Sequence, residues 1–134
     1  MTSKNEEKVQ EKLYEFQLLQ NELKSFEQQI AEFEERKLEM EMMKQTIDEI
    51  KNKEKESVMV PLGSGVFMNA SIKDDKTVFV NVGNGVVVRK KLSDAKEIID
   101  KQIEMICKNQ AILENSIREI ESHLQKIIKE VYPQ

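Results

Sequence analysis

The residues of this chain that could do chemistry are few, and they do not cluster in the sequence. His123 is the only histidine and Cys107 is the only cysteine. A zinc site of ordinary composition needs several histidine or cysteine ligands, and a disulfide needs two cysteines. We therefore interpret His123 as a solvated surface residue and Cys107 as a partly buried small residue. We expect no metal site and no other cofactor.

Carboxylates are abundant, but their spacing does not suggest catalysis. The 25 acidic residues lie mostly in long charged segments that lack Gly and Pro. On a helix exterior, solubility and pairing with bases three or four positions away explain such residues. Acid–base catalysis instead requires groups that converge on one site. We therefore expect that this chain is not an enzyme.

Two Gly-x-Gly motifs, Gly63-Ser64-Gly65 and Gly83-Asn84-Gly85, contain all four glycines of the chain. A phosphate-binding glycine motif leads from a strand into a helix, which neither of these does. Gly83-Asn84-Gly85 lies between two strand patterns, so a hairpin turn is the better interpretation. We predict that Gly63, Gly65, Gly83 and Gly85 set the turns of an assembly module.

The segment around these glycines, residues 57–92, has apolar residues at a period of two, which is typical of half-buried strands. We predict four strands in two hairpins, at about residues 58–61, 65–73, 76–82 and 86–91. The strand residues predicted to build the assembly surface are Val66, Met68, Ile72, Val78, Val80, Val82, Val86 and Val88.

Four short strands make a poor domain by themselves, because they bury little surface and leave their edges open. Several copies or related subunits could pool their hairpins into a shared barrel, which would close those edges. We therefore expect residues 57–92 to be an oligomerisation module.

Residues 1–56, on the N-terminal side of this module, contain no Gly or Pro and carry apolar residues at steps of three and four. This is the seam of a coiled coil. We predict a helix over about residues 5–55, with the first several residues frayed. Lys12, Lys37 and Lys44 fall on seam positions, and we expect the apolar stripe to shift by one residue to Met43 near the end of the helix.

Residues 93–134 carry a stricter heptad pattern, in which Gln110 is the one polar seam residue. We expect this helix to begin with Ser93 as its cap and Asp94 in its first turn, and to end before Pro133. The two helices would run antiparallel and bring residues 1–15 and 120–134 together. The chain is thus read as one α+β subunit with segments 1–56, 57–92 and 93–134.

The apolar residues near the two chain ends are candidates for binding another protein. They are more numerous than two facing helices can bury, so some are expected to be exposed. Ordinary seam packing explains most of them, and for Leu13, Ile128 and Val131 both interpretations stay open. The candidate residues are Val9, Leu13, Phe16, Leu124, Ile127, Ile128, Val131 and Tyr132.

Charge and hydropathy exclude several classes of partner. The net charge is −4, and no stripe of Lys and Arg offers a nucleic acid the clustered positive charge it needs. Residues 57–92 are the exception in sign, with 5 basic and 2 acidic residues, hence +3. We expect no nucleic acid and no membrane partner, because no apolar run approaches the ~20 residues that span a bilayer. The lack of an apolar signal sequence and the single cysteine favour the cytoplasm.

The middle segment resembles the alpha-type subunit of prefoldin. The residues that carry the resemblance are Val60-Pro61-Leu62-Gly63-Ser64-Gly65-Val66-Phe67, Ala70, Ile72-Lys73-Asp74, Val80-Asn81-Val82-Gly83-Asn84-Gly85-Val86-Val87-Val88 and Lys90. The flanking helices match in length and order. Beta-type subunits have one hairpin, so the two hairpins predicted here resemble the alpha type.

This resemblance implies an ATP-independent chaperone of archaeal type, a hetero-hexamer of two alpha-type and four beta-type subunits. Their hairpins would form a double β-barrel, and the tips of the coiled coils would hold unfolded client proteins and pass them to a group II chaperonin. An alternative is a passive coiled-coil scaffold or tether with one folded partner. A coiled-coil effector that inserts an acidic loop into an enzyme fits less well, because the segment between the helices is basic.

Overall fold

The structure is a computed structural model that describes residues 2–133. Its elements follow the predicted order of helix, two hairpins and helix. They are α1 (Thr2–Ile50), β1 (Ser57–Gly63), β2 (Val66–Ser71), β3 (Thr77–Gly83), β4 (Val86–Lys91) and α2 (Leu92–Val131).

Helix α1 differs from its predicted bounds at both ends. It begins at Thr2, ahead of the predicted start near residue 5, and fraying of the first residues stays a prediction. Helical hydrogen bonds are local, and a segment of good helix formers without Gly or Pro can continue beyond its packed partner. The helix ends at Ile50, where the Lys53 N–H donates to the Ile50 carbonyl at 3.1 Å. Asn52 has a left-handed φ of 64°, as in common helix C-caps.

Helix α2 begins one residue before the expected cap. Leu92 is the first helical residue, which places Ser93 inside the first turn rather than at the cap. The Leu92 N–H donates to the Lys76 carbonyl at 3.2 Å, so the hairpin itself satisfies a free donor of the helix end. Asp94 lies in the first turn, as predicted.

The two hairpins are separate two-stranded antiparallel sheets, β1–β2 and β3–β4. Each closes through a two-residue turn, Ser64-Gly65 or Asn84-Gly85, in which both residues have positive φ. These are the dihedral signs of a type I′ turn, whose twist matches that of the strands. Each hairpin also has an irregular register next to the turn, between Pro61 and Gly63 and between Asn81 and Gly83.

These features make the hairpins a structural repeat with an offset of 20 residues. The turn dihedrals agree closely, with φ of 123°, 48° and 80° for residues 63–65 and 121°, 50° and 73° for residues 83–85. The hydrogen bond from Ile72 to the Glu56 carbonyl repeats as the bond from Leu92 to the Lys76 carbonyl. The register repeats pair by pair. One local design of turn and bulge is therefore used twice.

The chain divides into two compact units, and each takes a segment of both helices. Unit 1 comprises the described parts of Met1–Arg36 and Met105–Gln134, where the helices pair antiparallel. Its most buried residues are on α2 and include Ile106, Ile120 and Ile127. Gln110 is also buried, and its Nε2 donates to Glu34 Oε2 at 2.8 Å. That bond satisfies the one polar side chain in the α2 seam, as burial of an amide demands.

Unit 2 comprises Lys37–Glu104 and contains the hairpins. Its core is Ile47, Ala95 and Ile99, each at most 6% exposed. Val78 and Val80 of β3 pack against this core, together with partly buried helical residues. Hairpin β3–β4 is thus held by the helices of its own unit, whereas no residue of hairpin β1–β2 packs against this core.

The seam of α1 does not shift at its end, so that part of the prediction was wrong. Met43 is 51% exposed, and the half-buried residue beside it is Lys44, whose ammonium pairs with Asp100 of α2. Steps of four and three from Met40 to Lys44 to Ile47 keep one continuous seam. The lysine stem lies along apolar surface while its ammonium reaches a carboxylate.

Asp74 organises the link between the hairpins. Its carboxylate accepts the Lys76 N–H at 2.9 Å and the Thr77 hydroxyl. The Thr77 hydroxyl bond, followed by the Lys76 N–H bond, lowers the pKa of the Asp74 carboxyl. Such Asp-centred turns fix the backbone locally, and this one sets the start of β3.

We predict that Gly85→Ala destabilises the hairpin module by about 1 kcal/mol, because an L side chain at a φ of +73° is strained. No atom lies within 4 Å of the added Cβ, so the loss would come from the backbone and not from a clash. Urea unfolding measures it. Ser64→Gly, at a left-handed position of the other turn, is the matched control and should not destabilise. Equal stability of Gly85→Ala and wild type would contradict the assigned turn.

We predict that the Asp74 carboxyl titrates below its ordinary value of about 3.9, because both bonds favour the charged form. A lowered folded pKa means that these bonds stabilise the fold above the unfolded pKa, and that this stabilisation disappears as the pH falls through the folded pKa. Carboxyl NMR titration measures the midpoint. Thr77→Val should move it upward, and an ordinary midpoint in the wild type would show that the bonds do not form.

Candidate functional site

Two regions contain the residues selected from the sequence: the chain ends in unit 1 and the hairpins in unit 2. We call the first the tip surface, made of residues 9–18 and 124–132. Of its eight candidate residues, Ile127 and Leu124 are buried, at 2% and 9% exposure. Phe16 and Val131 are half-buried. These four form the seam between the helices, which leaves them little area to offer a partner.

The other four candidates are exposed. Val9, Leu13, Ile128 and Tyr132 have 38%, 45%, 40% and 67% of their surface accessible. Leu13 and Ile128 each follow a seam position, so they flank the buried seam instead of filling it. Leu13 and Ile128 are thus exposed and Val131 is half-buried, and binding of another protein by these residues stays a prediction.

The tip surface also exposes two apolar residues that were not among the candidates. Tyr14 is 66% exposed and Leu18 is 51% exposed. Both lie outside the heptad positions that face α2. Their signal in the sequence was a large apolar residue on an outer position of an otherwise charged helix. Together with the four exposed candidates they make a scattered apolar surface on both helices.

Polar contacts within and between the two helices accompany this surface. Lys12 Nζ lies 3.1 Å from Glu130 Oε2 and 3.8 Å from Glu15 Oε2, and His123 Nε2 lies 2.9 Å from Glu15 Oε1. The bond to Glu130 raises the pKa of Lys12, so the amine stays charged. His123 is half-exposed, as expected for a surface residue, but its contact with Glu15 was not predicted. Lys12 thus occupies a seam position and links the helices by charge.

The polar groove beside the tip surface has no arrangement typical of a ligand site. Its volume is about 480 Å³, and its walls contain both acidic and basic residues. Among residues 2–133, no three His, Cys, Asp or Glu side chains are placed to hold a metal ion. Cys107 is exposed, contrary to the expected partial burial.

The hairpins contain the second set of candidate residues, of which some are half-buried and the others are exposed. Val78, Val80 and Val88 are half-buried, and the first two pack on the unit 2 core. Ile72 is half-buried but follows β2 rather than lying in it. The exposed candidates, 53–58% accessible, are Val66, Met68, Val82 and Val86.

Further apolar side chains of the hairpins are exposed and were not selected from the sequence. They belong to the opposite strand faces or to the bulges, which period-two reasoning assigned to solvent. These residues, from 54% to 67% exposed, are Met59, Leu62, Phe67, Phe79 and Val87. Hairpin β1–β2 therefore presents apolar side chains on both faces. Exposed apolar surface of this kind is typical of sites where proteins interact.

One exposed pair gives hairpin β3–β4 a different character. The Arg89 guanidinium lies 5.2 Å from the centroid of the Phe79 ring, within cation–π range. All charged residues of the four strands, Arg89, Lys90 and Lys91, belong to β4.

No helix within the described residues is long and apolar enough to cross a membrane.

Comparison with known proteins agrees with this architecture. The family model for the prefoldin subunit matches residues 19–132. No curated protein matches the sequence. Among solved structures, the chain is similar to the cryo-EM structure of filamentous PFD from Methanocaldococcus jannaschii. The TM-score is 0.76 at 19% identity, with 90% of this chain and 98% of that chain covered. At this identity the likeness concerns the fold.

The matched residues include both hairpins, all of α2 and most of α1. The resemblance first seen in the glycine turns is therefore confirmed over most of the chain: this protein belongs to the prefoldin subunit family.

Proposed function

We propose that this chain is an alpha-type prefoldin subunit that holds unfolded proteins without ATP. The observation that carries the proposal is the group of exposed apolar side chains on the tip surface, in a chain that belongs to the prefoldin subunit family. The two hairpins support the alpha type.

Holding an unfolded client requires contacts that tolerate any sequence. Apolar contacts are non-directional and roughly proportional to the area removed from water. Leu13, Ile128 and Tyr132 offer such area from both helices of unit 1. No single strong pocket is required, because several tips acting on one chain raise the overall affinity by avidity.

The assembly we propose is a hetero-hexamer of two copies of this chain and four beta-type subunits, acting in the cytoplasm. The exposed apolar faces of the hairpins support it, because two isolated hairpins are at best marginally stable in water. Bound clients would be released to a group II chaperonin. Neither nucleic acid nor membrane is expected as a partner.

Two alternatives differ from this proposal, one in the kind of partner and the other in the assembly. A passive scaffold would use the same helices to bind one folded partner, and it would show no preference for unfolded chains. A homomeric assembly is favoured by the exposed strand edges, and the similar archaeal structure is of a filamentous prefoldin. The two experiments below separate these alternatives.

The first prediction concerns client binding. Replacing Leu13, Ile128 and Tyr132 together by Gln removes apolar area while keeping residues that suit a helix. We expect this variant to lose about 1.4 kcal/mol of client-binding free energy. Half-suppression of client aggregation should then need a tenfold higher concentration of the complex. Light scattering of a denatured client, with the beta-type subunit present, measures this.

The matched control is Leu38→Gln with Met42→Gln, which removes apolar residues of 54% and 66% exposure that belong to unit 2. It should suppress aggregation as well as wild type. Equal activity of the tip variant and wild type would refute the assignment of the tip surface. Failure of the wild-type complex to suppress aggregation at all would refute the holdase proposal.

The second prediction concerns assembly. Mixing this 15.7 kDa chain with a beta-type prefoldin subunit should give one complex that contains two copies of it. Native mass spectrometry resolves the composition. Unchanged masses after mixing would contradict the hetero-hexamer, and an open-ended series of homomeric masses would favour the filament.

A further inference from the structure

The turn of hairpin β3–β4 places two groups that can react with each other side by side. The carboxamide carbon of an asparagine can be attacked by the backbone nitrogen of the next residue, and a side chain on that residue hinders the approach. Asn84-Gly85 is the one Asn-Gly pair of the sequence. Gly85 has no side chain, and no atom lies within 4 Å of the position that a Cβ would take. The nitrogen therefore has open space around it.

The folded turn leaves both reacting groups free. The Asn84 carboxamide takes part in none of the side-chain hydrogen bonds of residues 2–133. Gly83 pairs with Val86 across the turn, and the closing hydrogen bond of a β-turn joins the first and the fourth residue. The Gly85 N–H is not part of that bond, so its nitrogen is available to the carboxamide.

Most other asparagines precede an amide that is already bonded. Asn52 precedes Lys53, whose N–H donates to the Ile50 carbonyl at 3.1 Å. Within the helices, the next amide belongs to the helical hydrogen bonding. The asparagines of α1 and α2 are Asn5, Asn21, Asn109 and Asn115.

The two asparagines within strands are also restrained. Asn69 precedes Ala70, which lies two residues before the hydrogen-bonded Ile72 in a regular register, so the Ala70 N–H points toward β1. The side chain of Asn81 is itself held, because its Oδ1 accepts the Gly83 N–H at 2.9 Å. Asn84 thus differs from the other asparagines in local structure as well as in sequence.

The remaining requirement is movement, because the ring can close only when the backbone of Asn84 rotates and the turn opens. Residues 81–87 are all exposed, including Val82, Val86 and Val87 at 53–57%. Opening the turn therefore breaks no buried contact, and segments of this kind open at low cost in free energy.

We propose that Asn84 is a site of spontaneous modification, at which water is the co-reactant. The Gly85 nitrogen forms a bond to Cγ of Asn84, and the bond from Cγ to Nδ2 breaks. Nδ2 leaves as ammonia with the proton that the Gly85 nitrogen gave up. Water then opens the cyclic imide. Attack at Cγ gives aspartate, attack at the main-chain carbonyl gives isoaspartate, and no group is oxidised or reduced.

The two products affect the turn differently. Aspartate preserves it, because Asp-Gly suits a type I′ turn as Asn-Gly does. Isoaspartate routes the main chain through the side chain and adds a carbon to a turn built for two residues. It loosens hairpin β3–β4, whose Val78 and Val80 pack on the unit 2 core. This effect goes beyond the proposed function and does not depend on it.

Peptide mapping of the folded chain after prolonged incubation at neutral pH tests the site. The exchange of amide for acid should appear at residue 84 before any other asparagine, with isoaspartate among the products. Fragmentation must separate residue 84 from Asn81, because both lie in the tryptic peptide 77–89. Earlier conversion elsewhere would overturn the proposal, as would conversion at residue 84 in urea alone.

The repeat of the two hairpins supplies matched variants. Ser64→Asn creates a second Asn-Gly pair in a turn with φ of 48° and 80°, against 50° and 73° for residues 84 and 85. It should convert at residue 64 at a rate similar to that of residue 84. Asn84→Ser gives the second turn the residues of the first and should abolish conversion there. An unmodified residue 64 would show that this turn geometry does not permit the reaction.

Urea unfolding of the separated products tests the effect on the hairpin. The isoaspartate form should unfold at a lower urea concentration than the fresh protein. Freshly prepared Asn84→Asp, which carries the same added charge, should keep the wild-type midpoint. Equal midpoints for all three would refute the effect on the turn, and a matching loss in Asn84→Asp would assign it to charge instead.

Discussion

The structure of this subunit depends on one constraint: a two-stranded hairpin cannot bury its own apolar side chains. A strand pair has two faces and two free edges, and each hairpin here supplies only about six residues a strand. Hairpin β3–β4 solves part of the problem by packing Val78 and Val80 on Ile47, Ala95 and Ile99. Hairpin β1–β2 leaves Met59, Phe67 and Met68 more than half exposed. These side chains can be buried only by a surface outside the hairpin, which the proposed assembly would supply.

The two helices must also bury apolar side chains, and they bury them against each other along their seam. Two helices bury only the facing stripe, so each heptad contributes about two residues. Lys12 and Lys44 occupy stripe positions and pair with Glu130 and Asp100 across the interface. Surface ion pairs contribute little to stability, so these lysines weaken the seam relative to apolar residues. Gln110, bonded to Glu34, is a polar residue of the kind that specifies the register of a coiled coil.

Much of this architecture could be predicted from sequence periodicity. The change from steps of three and four to a period of two located the hairpins, and each strand boundary agrees to within a few residues. The seam error at Met43 has a simple cause: apolarity favoured the methionine, whereas continuous spacing required Lys44. The paired Gly-x-Gly motifs are the only local sign of the 20-residue repeat in the sequence. The turn dihedrals and hydrogen bonds of the two hairpins show its full extent.

The sequence by itself determined the helices, the turns and the family, because periodicity, glycine placement and local motifs are properties of neighbouring residues. Tertiary structure decided which apolar residues are free. Ile127 and Ile128 are adjacent and chemically identical, yet the first is 2% exposed and the second 40%. Likewise Val66 and Val80 have the same side chain, but only Val80 meets the unit 2 core. Burial depends on what lies opposite a side chain, and that partner comes from a distant part of the chain or from another chain.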